Sequence, residues 1–318
     1  MDPKVSVLLS FYNSQDYLAD AIQSILGQTL TDFELILIND ASTDDSVNVA
    51  KKFTDTRITI IENIENLGLT RSLNIGLAKA KGKYIARLDA DDIAEPVRLE
   101  KQVRYMEDHP DIFVLGSSLQ IKETGEVWQA VVGPEEVKVQ LLFNNPVFHP
   151  TAMIRDFKGL RYDEIFRYAQ DYALWAELVL RGKHLANLSD ILVARRNLPT
   201  AISAVKKDDQ QVCADKTRLR ILQALGLYPT GMELEIHREI SLETYSNSSY
   251  TFDDKDKWMN SIVKANMEKA LFNKNLLYRN LKVRWMKFFE LETNKEKRIF
   301  NSQFLRFTDK IRLFIDHL

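Results

Sequence analysis

The chain has 318 residues, of which 45% are hydrophobic and 28% charged, so it is long and apolar enough to bury a full core rather than remain disordered. Its 43 basic and 45 acidic side chains give a formal net charge of -2, which argues against a nucleic-acid partner held by overall charge. The one cysteine, Cys213, excludes an internal disulfide and a cysteine-built zinc site and is typical of a reducing compartment. We interpret Cys213 as a buried small side chain rather than a catalytic thiol.

The N-terminus runs directly into a strand-like segment, without the charged and apolar stretches of a signal peptide. No window approaches the roughly 18 to 20 uninterrupted apolar residues that a spanning helix needs. We therefore expect a cytoplasmic protein.

Short apolar runs alternate with helical periodicity over the first 200 or so residues, which predicts an α/β fold with a mostly parallel, Rossmann-like sheet covered by helices. Strands are expected at Val5–Leu9, Phe33–Ile38, Ile58–Ile61, Tyr84–Leu88, twice within 112–128, at Val147–Ile154 and at Ile191–Ala194. Helices are expected around 18–25, at 69–80, from 95 to 109, at 134–143 and at 170–181. Beyond about residue 206 the pattern is nearly all helical. We predict a first domain at 1–206, with halves at about 1–115 and 116–206, and a helical region at 207–318.

Acidic side chains follow two of the predicted strands. Asp40 ends the second, and Asp89, Asp91 and Asp92 follow the fourth. Residues at the carboxyl ends of parallel strands line the ligand crevice, so both groups should face it. Three clustered aspartates repel one another unless water, a basic group or a cation compensates, and their oxygens suit Mg²⁺ or Mn²⁺. A solvated acidic turn is the alternative. The segment Leu9–Asn13 has no glycine-rich phosphate loop, which argues against a dehydrogenase.

Five segments carry a family resemblance. In chain order they are Val5–Asn13, Gln23–Thr29, Asp40–Ser46, Asn66–Gly76 and Gly82–Asp92. Together they resemble the family-2 glycosyltransferases, which have the GT-A fold, and the resemblance extends over roughly residues 4 to 205.

The resemblance implies a metal-dependent, inverting glycosyltransferase with Mn²⁺ or Mg²⁺ as cofactor. Its donor would be a nucleotide-diphosphate sugar, with a UDP-sugar as the leading candidate. Its acceptor would be a hydroxyl group of a glycan or lipid-linked molecule in surface polysaccharide, capsule or lipopolysaccharide assembly. The implied reaction is a direct displacement without a covalent sugar–enzyme intermediate.

The resemblance also implies roles for residues on the donor side. Asp40 matches the aspartate that hydrogen-bonds the nucleobase edge, and Phe11 and Asn13 lie in the loop that packs on that base. Asp91 and Asp92 match the pair that contacts the ribose and the metal.

The resemblance implies donor-side roles for one more aspartate and for three arginines. Asp89 is the first acid of the Asp-x-Asp pattern, and which of the three aspartates ligates the metal directly stays open. Arg71 matches a helix-start position near the diphosphate, where a guanidinium is a natural phosphate partner. Arg195 and Arg196 both fall where relatives carry an arginine near the diphosphate. Arg71 as an ordinary surface arginine is the alternative.

The acceptor side offers one candidate base. The segment Phe166–Trp175 resembles a motif in which Glu-Asp precedes a helix and the aspartate acts as general base, so Asp171 is the predicted base. Gln170 stands where the glutamate is usual. Asp171 could instead cap a helix beginning at Tyr172. His149 resembles a histidine that lines the site, with a structural histidine as the alternative.

The C-terminal region is basic, with 13 basic and 6 acidic side chains between residues 264 and 318. Its aromatic stripe is expected on one face of a helix and consists of Phe300, Phe304, Phe307, Ile311 and Phe314. This face would pack on the catalytic domain or on a second subunit, or would lie on an anionic membrane where lipid-linked acceptors are found.

Two other functions are consistent with the same fold. A catalytically inactive nucleotide-sugar binding or scaffold protein is one, and the departure at Gln170 gives it some support. A sugar nucleotidyltransferase is the other, but it would need a glycine-rich loop with a lysine or arginine after the first strand, and this chain has none there.

Overall fold

The computed structural model describes residues 2–198, 205–245 and 248–316. The chain divides into two compact units. The sheet unit consists of Met1–Val137 and Asn145–Ala214, and the helical unit consists of Lys138–Asn144 and Asp215–Leu318.

The sheet unit contains a nine-stranded sheet. Its strands are β1 (Val5–Phe11), β2 (Phe33–Asn39), β3 (Ile58–Glu62), β4 (Tyr84–Arg87), β5 (Ile93–Ala94), β6 (Ile112–Ile121), β7 (Val127–Trp128), β8 (Met153–Arg155) and β9 (His184–Arg195). Its described helices are α1 (Leu18–Leu26), α2 (Ser46–Lys51), α3 (Leu69–Lys79), α4 (Arg98–Asp108) and α6 (Gln170–Leu180), and α5 (Pro134–Gln140) runs across the boundary between the units.

The strand order is β3-β2-β1-β4-β8-β6-β9-β5, with β7 paired to β6. β1 pairs in parallel with both β2 and β4, and β2 pairs in parallel with β3. β8 is antiparallel to β4 and to β6, whereas β6 and β9 are parallel. The predicted mixed, mostly parallel sheet is confirmed. Because β1, β2 and β4 are parallel, the loops that follow them lie at one edge of the sheet.

The core of the sheet unit follows from two periodicities. β1 and β2 are buried on both faces, as near-continuous runs of valine, leucine and isoleucine require in a sheet covered on both sides. On α1 the side chains of Leu18, Ile22 and Ile25 recur on one face and are fully buried. Cys213 is buried as predicted and packs beside Phe166 and Ala173.

Two strand predictions were wrong in extent. The segment Val147–Ile154 is not one strand, because residues His149–Thr151 form a 3₁₀ turn before β8 begins. Proline at position 150 has no N–H to donate to a sheet ladder, and this favours the turn. The last strand begins at His184 rather than at Ile191, and its pairing with β6 is interrupted by register shifts that obscure the alternation of apolar residues.

The remaining elements are helical, as predicted. They are α7 (Lys207–Ala224), which begins in the sheet unit, α8 (Gly231–Leu242), α9 (Phe252–Lys269), α10 (Lys274–Phe289), α11 (Lys295–Asn301) and α12 (Phe307–Asp316). Capping boxes begin two of them, with Thr230 and Glu233 at α8 and Thr251 and Asp254 at α9. None of the described helices is both long and apolar enough to cross a membrane.

The aromatic stripe predicted near the C-terminus does not lie on one helix. The chain leaves the helical conformation between α11 and α12, where the carboxylate of Asp256 accepts hydrogen bonds from the backbone N–H groups of Gln303 and Phe304. Phe304 is therefore buried, whereas Phe300 and Phe307 are 57% and 76% exposed. The side chain of Phe314 lies outside the described residues.

Candidate active site

The aspartate cluster lies immediately after β4. One carboxylate oxygen from each of Asp89, Asp91 and Asp92 lies within 4.8 Å of the other two. Asp92 is only 1% exposed, and its Oδ1 accepts a hydrogen bond from the backbone N–H of Arg196 at 3.1 Å. Its Oδ2 is buried and has no hydrogen-bond partner within the described part of the chain. Leaving a buried oxygen without a hydrogen-bond partner is costly, and this favours the cluster as a place where a ligand binds.

Electrostatics at the cluster favour a bound cation. Burial, and next the negative charge of Asp89, raise the pKa of Asp91 to about 6. Burial and the charges of both neighbouring aspartates raise the pKa of Asp92 well above its ordinary value. A divalent cation would relieve this repulsion, and three carboxylates are a donor set that fits Mg²⁺ or Mn²⁺. The residues present therefore fit the implied metal.

Two arginines hold the cluster in place. The guanidinium of Arg87 forms an ion pair with Asp89. Arg196 is buried, donates from Nη1 to the backbone oxygen of Asp91 at 2.8 Å, and pairs through Nη2 with Asp20 of α1. Arg196 thus has a structural bond to the cluster, and its role beside a diphosphate stays a prediction.

Arg195 and Arg196 diverge although they are adjacent. The guanidinium of Arg195 lies 5.1 Å from the centre of the Trp128 ring, a cation–π contact that directs it toward β7. The guanidinium of Arg196 lies 5.1 Å from the ring centre of Tyr17. Arg196 forms hydrogen bonds with the aspartate cluster, and the charge of Arg195 also acts on it by lowering the pKa of Asp91 against the larger effect of burial.

The loops after β1 and β2 are tied together by Asn13. Its side chain accepts from the backbone N–H of Thr43 at 2.8 Å, and it adopts a positive φ of 49°. Phe11, which was predicted near the base, is buried with its ring in the core of the sheet unit, and its contact with a nucleobase stays a prediction. The neighbouring Tyr12 is exposed.

Asp40 is buried and already engaged. Its carboxylate accepts from the backbone N–H groups of Leu67 at 2.9 Å and Gly68 at 2.8 Å, and from Nδ2 of Asn63 at 2.9 Å. These bonds hold the segment that leads into α3, a role that the sequence did not indicate. Two carboxylate oxygens offer about four acceptor sites, so one site is left for a nucleobase N–H. The base contact stays a prediction.

Arg71 lies in the first turn of α3 and is largely exposed. Its Nε donates to Oε2 of Glu164 at 3.0 Å. An exposed ion pair of this kind is weak, and a phosphate group could displace it at little cost. The structure therefore leaves the predicted diphosphate contact open.

Asp171 lies in the first turn of α6. The helix begins at Gln170 after Ala169, so Asp171 is not the N-cap of a helix beginning at Tyr172. Its Oδ2 accepts from Nδ2 of Asn145 at 2.6 Å. Burial raises the pKa of Asp171, while the Tyr172 N–H, the charge of Arg87 and the Asn145 side chain act in the opposite direction. A buried carboxylate with a raised pKa is suited to accept a proton, and the role of Asp171 as general base stays a prediction. Gln170 beside it is buried.

His149 is buried and hydrogen-bonded. Its Nε2 lies 2.8 Å from the hydroxyl of Tyr162, and its ring contacts Trp175 edge to face. Burial, and next the charge of Arg87, lower the pKa of His149 well below its ordinary value. A neutral histidine in this position has the bonding of a structural residue, and a direct role at the site stays a prediction.

Four residues at the site were missed from the sequence. Asn145 and Tyr162 are polar residues in loops, and Asp20 lies on a helix, so no local pattern distinguishes them. Arg87 could have been found, since an arginine inside an otherwise apolar strand is a charge that must be compensated.

The sequence is similar to those of known glycosyltransferases. Residues 6–163 match the model of the family described as "Glycosyl transferase family 2". An uncharacterized glycosyltransferase of Haemophilus influenzae is 35% identical and aligns over 82% of this chain and 84% of its own length. Putative glycosyltransferase EpsE of Bacillus subtilis is 37% identical and aligns over 60% of this chain and 72% of its own length. The amylovoran biosynthesis glycosyltransferase AmsE of Erwinia amylovora is 32% identical and aligns over 60% of this chain and 75% of its own length.

Solved structures share the fold at low sequence identity. Staphylococcus aureus TarS, determined with UDP-GlcNAc, superposes with a TM-score of 0.61 at 16% identity over 90% of this chain and 89% of its own. Mannosyltransferase PcManGT of Pyrobaculum calidifontis, determined with GDP-Man and Mn²⁺, superposes with a TM-score of 0.56 at 15% identity over 91% of this chain and 87% of its own. These likenesses confirm the GT-A fold, and together with the sequence matches they show that the chain belongs to glycosyl transferase family 2.

Proposed function

We propose that this protein is a metal-dependent, inverting glycosyltransferase that moves a sugar from a nucleotide-diphosphate sugar, by preference a UDP-sugar, to an acceptor hydroxyl. The observation that carries the proposal is the cluster of Asp89, Asp91 and Asp92, with its buried and unpaired Oδ2. Solved neighbours that hold UDP-GlcNAc, or GDP-Man with Mn²⁺, support it. The name of the relative AmsE supports a product in polysaccharide biosynthesis.

The proposed reaction is a single displacement. Asp171 takes the proton from the acceptor hydroxyl as that oxygen forms a bond to the anomeric carbon. The bond from the anomeric carbon to the diphosphate breaks on the opposite face, so the configuration inverts. Arg71, released from Glu164, would neutralise charge on the departing diphosphate. A divalent ion held by Asp91 and Asp92 would supply positive charge against the same group.

The sharpest test compares Asp171→Asn with Asp111→Asn, an exposed aspartate that pairs with His184 away from the cluster. Transfer is measured with Mn²⁺ over a panel of UDP-, GDP- and TDP-sugars and candidate acceptors. We expect Asp171→Asn to lower kcat by about 100-fold or more, because a general base contributes on the order of 10² to 10⁴. Donor binding, measured as a rise in Tm, should be retained.

The same panel separates the inactive scaffold from the enzyme. If wild type and Asp171→Asn both bind a donor and neither transfers nor hydrolyses it, the protein is a binding module and the enzymatic proposal fails.

We further propose that the protein contacts an anionic membrane surface through its C-terminal helices. Phe307 and Ile311 are one turn apart on α12 and both are exposed, in a region with an excess of basic side chains. Full-length protein should co-sediment with vesicles containing phosphatidylglycerol, less so at high salt, and Phe307→Ser together with Ile311→Ser should reduce binding severalfold. Equal binding to uncharged phosphatidylcholine vesicles, or formation of a stable dimer through this face, would refute the proposal.

A further inference from the structure

Arg87 is the last residue of β4 and is only 4% exposed. Its backbone N–H donates to the carbonyl oxygen of Ala152 at 3.0 Å, and its own carbonyl oxygen accepts from Nη2 of Arg98 at 2.7 Å. The backbone is therefore fixed on both sides, and the guanidinium is held inside the protein.

The guanidinium of Arg87 is incompletely paired. Nη2 contacts Asp89, while Nε and Nη1 are buried and have no hydrogen-bond partner in the described ranges. A guanidinium does not lose its proton in a protein, so this positive charge persists below the surface. Such a charge is tolerated only where surrounding negative charge offsets its desolvation.

The field of Arg87 reaches two groups of acids. On the cluster side Arg87 pairs with Asp89. On the other side its backbone N–H is bonded to Ala152, which follows the His149–Thr151 turn, and the ring of His149 packs edge to face on Trp175, one turn along α6 from Asp171. In keeping with this placement, the charge of Arg87 lowers the pKa of Asp171, against the larger effect of burial. The cluster follows β4 and Asp171 lies at the start of α6, so one cation acts on the proposed donor side and on the proposed base.

We propose that Arg87 is a positioning residue for the transfer reaction: it fixes Asp89 by the ion pair and is the counter-charge shared by the aspartate cluster and Asp171. This inference rests on the proposed function, in which Asp171 is the base. Its consequence is that the donor and acceptor sides are electrostatically coupled through one buried side chain.

The other groups that face Asp171 do not supply this charge. Asn145 and the backbone N–H of Tyr172 donate neutral hydrogen bonds to it. Burial raises the pKa of the Tyr162 hydroxyl, and the negative charge of Asp171 acts in the same direction while Arg87 opposes it, so the hydroxyl remains protonated. His149, hydrogen-bonded to Tyr162, is neutral because burial and the charge of Arg87 lower its pKa.

The test is the pH profile of kcat/KM for wild type, Arg87→Lys and Arg87→Gln. A cation near a carboxylate stabilises its ionised form, so removing the cation should raise the pKa of the base and move the acidic limb about one unit to higher pH. Arg87→Lys should keep the limb near the wild-type position. In Arg87→Gln the loss of rate should shrink as the pH rises above the limb.

A second readout concerns the donor side. With Asp89 no longer held, the Mn²⁺-dependent rise in Tm given by the best of UDP, GDP and TDP should need about 10-fold more nucleotide in Arg87→Gln. The matched control is Arg98→Met, which removes an equally buried cation bonded to the carbonyl oxygen of Arg87. We expect it to lower Tm without moving the acidic limb.

If Arg87→Gln does not fold, Arg87→Met is the substitute, because it replaces the guanidinium by an apolar side chain and leaves the aspartate cluster unchanged, and its acidic limb should still be displaced. The proposal is overturned if the limb stays in place in the foldable variant, or moves equally in Arg98→Met. Loss of the proposed function is a distinct result, because it appears as full activity in Asp171→Asn or as an inert wild type, and either one also removes the basis for the role of Arg87.

Discussion

Two buried aspartates, one in each unit, have opposite surroundings. Asp256 of the helical unit is 3% exposed, and four donors satisfy it: Nε1 of Trp285 at 2.8 Å, the hydroxyl of Ser302, and the N–H groups of Gln303 at 2.6 Å and Phe304 at 3.3 Å. Asp92 of the sheet unit is 1% exposed, and among the described residues its carboxylate accepts one hydrogen bond, from the N–H of Arg196.

The difference distinguishes a carboxylate with a structural role from one that we propose binds a ligand. Four donors compensate Asp256 for its lost hydration, so its carboxylate can fix the turn between α11 and α12. Asp92 has one donor and two acidic neighbours, and burial together with their charges raises its pKa. Natural proteins seldom leave a buried acceptor unpaired, and they do so mainly where something else is to bind.

The largest expected effect is that of Asp92→Asn on activity. The substitution removes a proposed metal ligand, so Mn²⁺-dependent transfer should fall by about 100-fold or more. Without metal, the Tm should stay the same or rise, because an uncompensated buried charge is lost. Enzyme assays and thermal melts in EDTA measure the two effects. Wild-type activity in this variant would remove Asp92 from the site.

Asp256→Asn should show the reverse pattern. The amide presents N–H groups where four donors point, so we expect a loss of about 3 kcal/mol in the free energy of unfolding, or roughly 6 to 12 °C in Tm. Because the substitution lies outside the aspartate cluster, the folded protein should keep its metal-dependent response to nucleotide. A stable Asp256→Asn variant would contradict the structural role that we assign.

The pH dependence of stability should be a smaller effect, of a few degrees in Tm. The pKa of Asp91 is raised to about 6 in the folded protein, so its contribution to stability is present below about pH 4 and is lost as the pH rises through about 6. In EDTA the wild type should therefore lose stability between pH 4 and 7 relative to Asp91→Asn. Mn²⁺ should remove the difference. If the difference in Tm between wild type and Asp91→Asn did not change with pH, the raised pKa of Asp91 would be contradicted.

The donor half of the fold was predictable because its information is local. β1, β2 and β4 are apolar runs of adjacent residues, and the acids that follow them can be located from the strand ends alone. The 3₁₀ turn at His149–Thr151 was missed because a short apolar run with a proline resembles an edge strand. The early start of β9 was missed because its pairing with β6 is irregular.

Contacts between distant residues could not be predicted. The partnership of Arg196 with Asp20, and that of Asn145 with Asp171, join side chains from separate elements, and nothing in the sequence near either partner specifies the other. The sequence indicated that Asp40 belongs to the crevice but not that the segment before α3 occupies most of its acceptor sites. The catalytic and binding roles assigned to these residues stay predictions.

The bonds from Arg196 to Asp91 and Asp92 also bear on the order of folding. They join residues separated by 105 and 104 positions, so the cluster cannot acquire its final surroundings until the chain as far as β9 has been synthesised and paired with β6. Closing so long a loop is slow compared with forming local helices and hairpins. A nascent chain that ends before β9 would therefore carry the acidic sequence without the bonds that Arg196 makes to Asp91 and Asp92.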